Sequence, residues 1–536
     1  MKKKYTLLDC TLRDGGYYNN WDFSVDLINQ YLWVMKNIGI DIVELGLRSL
    51  NNKGFKGPCA FTTDEFIRSL KIPSDLSLGV MINGAEIIGS TPQLEALERL
   101  FPVPAAESPI SIVRIACHLH EFKFALPATV WLKGNGYKVG FNLMQVASKS
   151  EQEIEELAFE AAKYPIDVLY FADSLGGMSQ AQVAKVVQIF QKAWRGPVGI
   201  HTHDNLGLAL SNSLCALDEG ATWVDSTVSG MGRGPGNTRT EELVIEVAKR
   251  RGERLNLAPL MSLLRKYFMP MKAQHGWGTN PYYYLAGIHG IHPTFIQEML
   301  DDARFQEEDI LAVIEHLRTG DNKNFGSQLL ESARQFYRDE PKGTWSPSEL
   351  FSNREILLLG AGPSLLRHRN AIESYISKRK PVVIALNIKS GIEEDLIDFH
   401  MACHPVRLLA DCRDYAHLQQ PLITPYSVLP KDVQAGLKGK KVLDFGLSIQ
   451  PNTFKFFKNG CIAPNSLVVA YALAVLTSGD AKRVLLAGFD GYGPDDQRTA
   501  EMRDLLECYQ EAEGALPLAV ITPSHYGIHA ESVYAL

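Results

Sequence analysis

Between residue 5 and about residue 230 the chain alternates short apolar bursts with longer amphipathic stretches. The bursts read YTLLDCT, IDIVELGL, LSLGVMIN, SIVRIACHL, YKVGFNLMQ, DVLYFADS, PVGIHTH and TWVDSTVSG. Strands buried on both faces look like this, because neither face has to meet water. Between them, SVDLINQYLWVMKNIG and SEQEIEELAFEAAKYP repeat apolar residues at three and four, the spacing of one helix face. The second offers Ser148 or Ser150 as its cap and acidic residues in its first turn. Eight strand-helix units within about 250 residues predict an α/β fold of the closed (β/α)8 kind, a TIM barrel, with a doubly wound open sheet as the alternative.

Beyond this the pattern changes. The stretch from 256 to 345 carries helical periodicity, first in PLMSLLRKYFMPMKAQHGWGTNPYYYLAGIHGIHPTFIQEML and then in EEDILAVIEHLRTG and LLESARQFY, and predicts a helical extension of the barrel unit 1–255. RDEPKGTWSPSELFSNRE, with Pro341, Gly343 and Pro347, marks a linker near 340 to 353. After it, REILLLGAGPSLLRHRNAIESYI, KPVVIALNIK, KKVLDFGLS and AKRVLLAGFDGYG alternate strands with helices, so 354–536 is expected to be a Rossmann-like open sheet domain.

Composition narrows the function class. The 536 residues are 46% hydrophobic and 21% charged, with a formal net charge of -7 and no long basic run, which argues against nucleic acid as a partner. No run of about eighteen apolar residues suggests a membrane span. Polar Asp9, Arg13 and Asp14 interrupt the basic start before a signal-peptide core could form. The 8 cysteines are scattered, as in reduced cytoplasmic proteins. A cytoplasmic enzyme of small molecules, assembled as a homo-oligomer, is the expectation.

In a TIM barrel, polar residues at the C-terminal strand ends form the active face. Here these are Arg13 and Asp14, Glu44 and Arg48, Asn83, His118 and His120, Asn142 and Gln145, Asp173 and Ser174, His201, His203 and Asp204, and Asp225 and Ser229. Glu44, Arg48, Asp173 and Ser174 are the expected substrate contacts. His201 and His203 stand two apart on a strand, so both rings point to one face. Strands one and seven of a closed barrel are separated only by strand eight. Asp14 and, from the loop GMGRGPGN, Asn237 can therefore join the two imidazoles at one centre. Two imidazoles with oxygen donors suit a divalent cation, with Mn2+ leading and Mg2+, Co2+ or Zn2+ following, rather than a thiolate zinc site. No lysine lies well inside the eight bursts, which disfavours Schiff-base chemistry.

TLRDGG at 11–16, FADSLGGM at 171–178 and HTHDNLGLALSNSLCALDEGATWVDSTVSGMGRGPGNTRTEEL at 201–243 resemble motifs of the DRE-TIM metallolyase superfamily. Within it the similarity is greatest to class II pyruvate aldolases of the 4-hydroxy-2-oxovalerate aldolase type, over roughly residues 5 to 250. The resemblance implies that Asp14, His201 and His203 hold the metal, joined by Asn237 as in some members. It implies that Arg13 stabilises an enolate oxygen while the metal chelates a 2-oxo acid, and that a bond to an aldehyde is formed or cleaved. A guanidinium suits that role because it stays cationic.

The chain departs from its relatives just after RDG. The aldolases carry a histidine base there and the acyl-CoA synthases a glutamate, whereas RDGGYYNNWDF presents Tyr17 and Tyr18. A phenol of pKa about 10 is a poor resting base. Candidates for proton transfer are therefore Tyr17 and, in the extension, Tyr283 and His289, with Tyr282, Tyr284, His292, His118 and His120 behind them. An acyl-CoA-dependent Claisen synthase or lyase, or a scaffold that binds metal or sugar without turnover, are the rival readings.

In the C-terminal half, LLLGAGPSL at 357–365 sets Gly360 and Gly362 between a strand and a helix, where backbone N–H groups can approach phosphate. Together with VVAYALAVLTSGDAKRVLLAGFDGYG it resembles the nucleotide-binding fold of sialyltransferase-like and pterin-diphosphokinase-like proteins, over about 355 to 495. That resemblance implies a nucleotide or nucleotide-sugar near Gly360, Gly362, Ser364 and Asp490, with Asn387, Asp444 and His525 as further polar candidates. It also makes a sugar-derived aldehyde the attractive substrate for the barrel.

Overall fold

The computed structural model describes residues 5–301 and 341–536 apart from 53, 90, 389–390, 405–406, 409–410, 430 and 493–495, and between 302 and 340 only 307, 310, 311, 313, 314 and 318. The chain divides into two units, Met1–Arg304 and Phe305–Leu536.

All eight apolar bursts are strands: β1 Thr6–Asp9, β2 Ile42–Leu47, β3 Ser77–Asn83, β4 Ile112–Cys117, β5 Lys138–Leu143, β6 Val168–Asp173, β7 Val198–Thr202 and β8 Trp223–Ser226. Each pairs in parallel with the next, and β1 also pairs with β8, so the sheet closes and the open-sheet alternative falls. Strands β2, β4 and β6 are buried at every position, one face against the barrel axis and the other against helices, which is why they carry no alternation. The helices follow from their caps and stripes. Ser24 accepts from Leu27 N at 3.3 Å and starts Val25–Asn37, which buries Leu27, Ile28, Tyr31, Leu32, Val34 and Met35. Ser150, of the two serines considered, caps Glu151–Ala161 in a reciprocal box with Glu153.

Strand β2 shifts register against β3 between Glu44 and Leu47. Gly46 lies in that irregularity, where an added Cβ would fall 1.9 Å from the Cys59 carbonyl oxygen. Because the obstacle is backbone, Gly46→Ala is expected to cost at least the roughly 1–3 kcal/mol typical of overpacking. A thermal melt that left the transition unchanged would refute this.

As far as Asp301, the described part of the extension falls in the same unit as the barrel. Its helical segments Ala258–Leu263, Leu264–Phe268, Met269–His275, Pro281–His289 and Pro293–Asp301 follow the last barrel helix. It is fastened to the C-terminal rim: the Trp277 indole donates to Ser229 O at 3.0 Å, and the Tyr18 ring lies 5.4 Å from His275 and 5.7 Å from Trp277. The helices expected in EEDILAVIEHLRTG and LLESARQFY fall for the most part outside the described residues.

The second unit holds a seven-stranded parallel sheet of β9 Glu355–Leu359, β10 Val382–Leu386, β11 Phe399–Met401, β12 Leu422–Thr424, β13 Val442–Asp444, β17 Arg483–Ala487 and β18 Leu518–Val520. Its order, β13-β12-β11-β10-β9-β17-β18, reverses direction between β9 and β17, as in doubly wound folds. A smaller sheet of β14 Gly446–Ile449, β15 Lys455–Phe457 and β16 Gly460–Ala463 lies in the same unit. Part of the expected linker is tied into this unit, with Gly343 N donating to Asn459 O at 2.9 Å and Thr344 N and Trp345 N to Asp444 O at 3.0 Å. Among the described residues no helix is long and apolar enough to cross a membrane.

Candidate active site

Directly after β1, residues Thr11–Gly15 form one helical turn in which Asp14 N bonds back to Cys10 O at 2.9 Å. This turn carries Arg13 and Asp14 inward, both buried. From β7 come His201 and, at its tip, His203. The loop after β8 folds back onto that tip: His203 and Asn237 form an isolated antiparallel bridge, and Asp204 N donates to Gly236 O at 2.8 Å. Gly236 makes the fold-back possible, since its φ is +78° and a Cβ there would sit 2.3 Å from Gly230 O.

One ligand atom each from Asp14, His201 and His203 lies within 4.8 Å of the other two. His201 Nε2 is 3.4 Å from Asp14 Oδ2, and Asn237 Nδ2 donates to the same oxygen. His201 Nδ1 is 2.9 Å from Asp225 Oδ2, so the carboxylate holds the ring and turns Nε2 toward the site. A second grouping, Cys10, His201 and Asp225, is less suited to a cation. Burial pushes the Cys10 thiol up to about 11, and Asp225 is already engaged by Arg114 and His201.

The barrel interior behind these residues is a chain of buried ions. Arg13 Nε donates to Glu44 Oε1 at 2.7 Å and its Nη1 to Asp14 Oδ1 at 2.9 Å. Arg114, in the middle of β4 and 0% exposed, donates to both Glu44 oxygens at 2.6 and 2.9 Å and to Asp225 Oδ2 at 2.7 Å. The cluster therefore sets two guanidinium groups, Arg13 and Arg114, against three carboxylates, Asp14, Glu44 and Asp225. One negative charge is left over. Burial opposes charge on His201, but its hydrogen bonds to Asp14 and Asp225 raise its pKa well above the usual imidazole value. Burial likewise opposes ionisation of Asp14, and Arg13 with His201 holds it well below the carboxylate range.

His203 behaves differently. Burial and the His201 charge push it down to about 3, leaving a neutral imidazole. Its Nδ1 and the Asn237 Oδ1 are buried and make no hydrogen bond, although such atoms in proteins nearly always have a partner. Unbonded donor atoms beside a cluster that is balanced only by the His201 proton fit a divalent cation, which would take the place of that proton.

Other expected site residues lie around this centre. Glu44 bridges the two arginines. Arg48 is buried and occupied, pairing with Asp64 and donating to Thr62 O at 3.2 Å and Leu100 O at 2.8 Å, so its guanidinium ties loops together. Asp173 accepts from Gly177 N and Met178 N, both at 3.1 Å, and burial pushes its pKa up to about 6. Ser174 Oγ accepts from Gln145 N at 3.0 Å. Tyr17 is 39% exposed at the rim, its ring 4.7 Å from Trp21 and 4.4 Å from the Arg233 guanidinium carbon. Tyr283 is buried beside Gly234 of the loop that supplies Asn237, and His289 is half-buried at the end of its helix. Arg114 was not among the expected residues, though an arginine inside the burst SIVRIACHL was a visible anomaly.

In the second unit, the glycine turn serves the chain itself. Gly360 N donates to Ala487 O at 2.8 Å and Gly362 N to Gly488 O at 2.9 Å. Asp490 accepts from Ser364 N at 2.9 Å and Ser364 Oγ at 2.6 Å. The amides expected to meet a phosphate thus already have partners. Asp444 accepts from Ser427 N at 3.0 Å, Asn387 N donates to Met401 O at 2.9 Å, and His525 N to Asp490 O at 2.9 Å.

Known proteins match the first of these units. The HMGL-like family matches residues 117–265. A 4-hydroxy-2-oxovalerate aldolase of Carboxydothermus hydrogenoformans is 32% identical over 257 residues, 46% of this chain and 72% of that protein. An oxaloacetate decarboxylase of Mycobacterium tuberculosis is 26% identical over 297 residues, 55% of this chain and 84% of that protein. Among solved structures, the N-terminal domain of a protein assigned as an aldolase from Bacteroides vulgatus superposes with a TM-score of 0.51 at 31% identity, covering 56% of this chain and 97% of that one. With its closed barrel and the gathered ligand atoms of Asp14, His201 and His203, the chain belongs to the HMGL-like family and is a divalent-metal-dependent carbon-carbon lyase of the class II aldolase kind.

Proposed function

We propose that the barrel joins pyruvate, or a similar 2-oxo acid, to an aldehyde, or cleaves the product, using a divalent cation held by Asp14, His201, His203 and Asn237. The carrying observation is a buried cluster of three carboxylates and two guanidinium groups, balanced by a proton on His201 that a cation can replace, beside the unbonded His203 Nδ1 and Asn237 Oδ1. Relatives named for 4-hydroxy-2-oxovalerate and oxaloacetate, both 2-oxo acids, support the donor class. A bound cation, Mn2+ being the first candidate, supplies Lewis-acid polarisation of the 2-oxo acid.

The remaining work falls to the chain. Arg13 is fixed by Glu44 and Asp14 through Nε and Nη1, while its Nη2 is buried with no partner. That leaves a pre-oriented donor for charge growing on the keto oxygen, without reorganisation during the reaction. Asp225 keeps the His201 ring in place. In cleavage Tyr17 Oη, three residues beyond Asp14 and 39% exposed, relays the proton of the substrate hydroxyl, releasing its own phenol proton to water as it accepts that one, and in synthesis the relay runs in reverse. Tyr283 closes the wall beside the Asn237 loop. In the second unit the reversal between β9 and β17 supports a nucleotide or nucleotide-sugar crevice at those strand ends, recognised through side chains rather than through the glycine-turn amides.

The test is exchange of the pyruvate methyl protons in deuterated water, followed by NMR on the Mn2+-loaded protein. Exchange with pyruvate alone is expected, and it should persist in Tyr17→Phe, which loses carbon-carbon cleavage instead. Exchange that required acetyl-CoA would replace this reading by a Claisen synthase. A protein that held its cation and gave no exchange would be a binding scaffold.

A further inference from the structure

The loop that supplies Asn237 also carries Arg233, and the reaction as derived leaves this charge unused. Arg233 is half-buried, with its guanidinium over the Tyr17 ring at 4.4 Å. Arg13, Arg48, Arg114 and Arg239 of the same unit each pair with a carboxylate. Among the described residues Arg233 pairs with none. It lies four residues before Asn237 on the loop that bridges to His203, and the Tyr17 ring beneath it stands three residues beyond Asp14, which sets the guanidinium on the Tyr17 side of the cation site.

The neighbours at the barrel mouth do not neutralise it. His292 is half-buried, and burial together with the Arg233 charge pushes it down to about 3, which leaves a neutral ring that can hydrogen-bond. His118 and His120 stack with centroids 5.7 Å apart. The carboxylate nearest to them, Glu121, accepts from His118 N at 2.9 Å and lies 3.9 Å from His120 Nε2. A cation partly withdrawn from water with no anion of its own is costly to keep for packing alone. Its planar fork suits phosphate and carboxylate geometry.

We infer that Arg233 is the counter-ion for an anionic group, a phosphate or a carboxylate, on the aldehyde partner, held at the barrel mouth on the Tyr17 side of the cation site. The inference rests on the aldolase reading for calling that ligand the aldehyde. It names the substrate class as aldehydes with a negatively charged tail.

Stable probes test it by calorimetry on the full-length, Mn2+-loaded protein with pyruvate present. Glycerol, glycerate and glycerol 3-phosphate differ in the charged group alone. Glycerate or glycerol 3-phosphate is expected to bind about 10- to 100-fold tighter than glycerol, the worth of a charge-assisted contact, and the one that gains identifies the group. Arg233→Gln should remove the difference, and Arg233→Lys, which keeps a point charge, should retain part of it. The inference is overturned if both anions bind no tighter than glycerol, or if the preference survives in Arg233→Gln with an unchanged melt. Methyl exchange on the same wild-type preparation reports separately on the aldolase reading. Exchange without Arg233-dependent anion binding overturns the inference alone. Arg233-dependent binding without exchange overturns the aldolase reading alone.

Discussion

His203→Ala is expected to strip the protein of stoichiometric Mn2+ while leaving the melting of the cation-free chain nearly unchanged. The asymmetry follows from what His203 does without a cation. Its imidazole is neutral, half-buried, and its inner nitrogen makes no hydrogen bond, so truncation removes little that holds the fold together. Asp14→Ala should behave otherwise. Asp14 pairs with Arg13 and His201 and accepts from Asn237, and its loss leaves two cations facing each other in a buried cluster. That variant should lose both cation and stability. Disturbing an outer partner of a metal ligand costs about 10- to 100-fold in affinity, and removal of a direct ligand should exceed this. Titration with Mn2+, following the free aquo ion by electron paramagnetic resonance, measures it. One Mn2+ retained per chain in His203→Ala, at near wild-type affinity, would dismantle the proposed site.

These residues were legible before any coordinates because two periodicities cooperate. The eight strands announce themselves since burial on both faces leaves few polar positions, and a polar residue at a C-terminal strand end then lies near the active face. His201, His203 and Asp14 follow from that rule. Arg48 obeys the same rule and yet is spent on Asp64, Thr62 and Leu100. Position along the strand says which end a side chain lies near, but not which of two neighbours claims it. Arg114 failed in the opposite way. It sits in the otherwise apolar run IVRIAC, and its partners Glu44 and Asp225 come from strands 70 and 111 residues away. No local pattern links them.

The second unit shows where a run of apolar residues misleads. KKVLDFGLS reads as one strand, but the chain leaves the large sheet after Asp444. Phe445 N still bonds to Thr424 O at 3.3 Å, whereas Gly446 N turns to Asn459 O at 3.0 Å in the small sheet. One burst therefore feeds two sheets, and the three short strands β14 to β16 went unforeseen. The glycine turn misled for an electrostatic reason. The sequence shows amides free to receive a phosphate, but a carboxylate 126 residues away, Asp490, caps Ser364 instead.

Arg114→Met should be the most destabilising single change in the barrel. It leaves Glu44 and Asp225 buried with one cationic partner fewer each, the case in which breaking a buried ion pair costs about 3–5 kcal/mol. For a unit of this size that corresponds to a fall in melting temperature on the order of 10 °C. A second substitution separates this structural cost from the arginine's effect on the site. In the Arg114→Met and Asp225→Asn double variant one charge of each sign is gone, Glu44 keeps Arg13, and Asp14 keeps Arg13 and His201. Much of the stability should return, because removing both members of a buried pair is far cheaper than removing one. Cation affinity should not return with it. His201 would then orient its ring against a neutral amide, and weakening the partner that holds a metal ligand in place costs about 10- to 100-fold in binding. Melting curves and Mn2+ titrations on the same two proteins decide the matter. Recovery of both properties together would reduce Arg114 to a packing residue, whereas recovery of stability alone makes it the group that positions the ligands through Asp225.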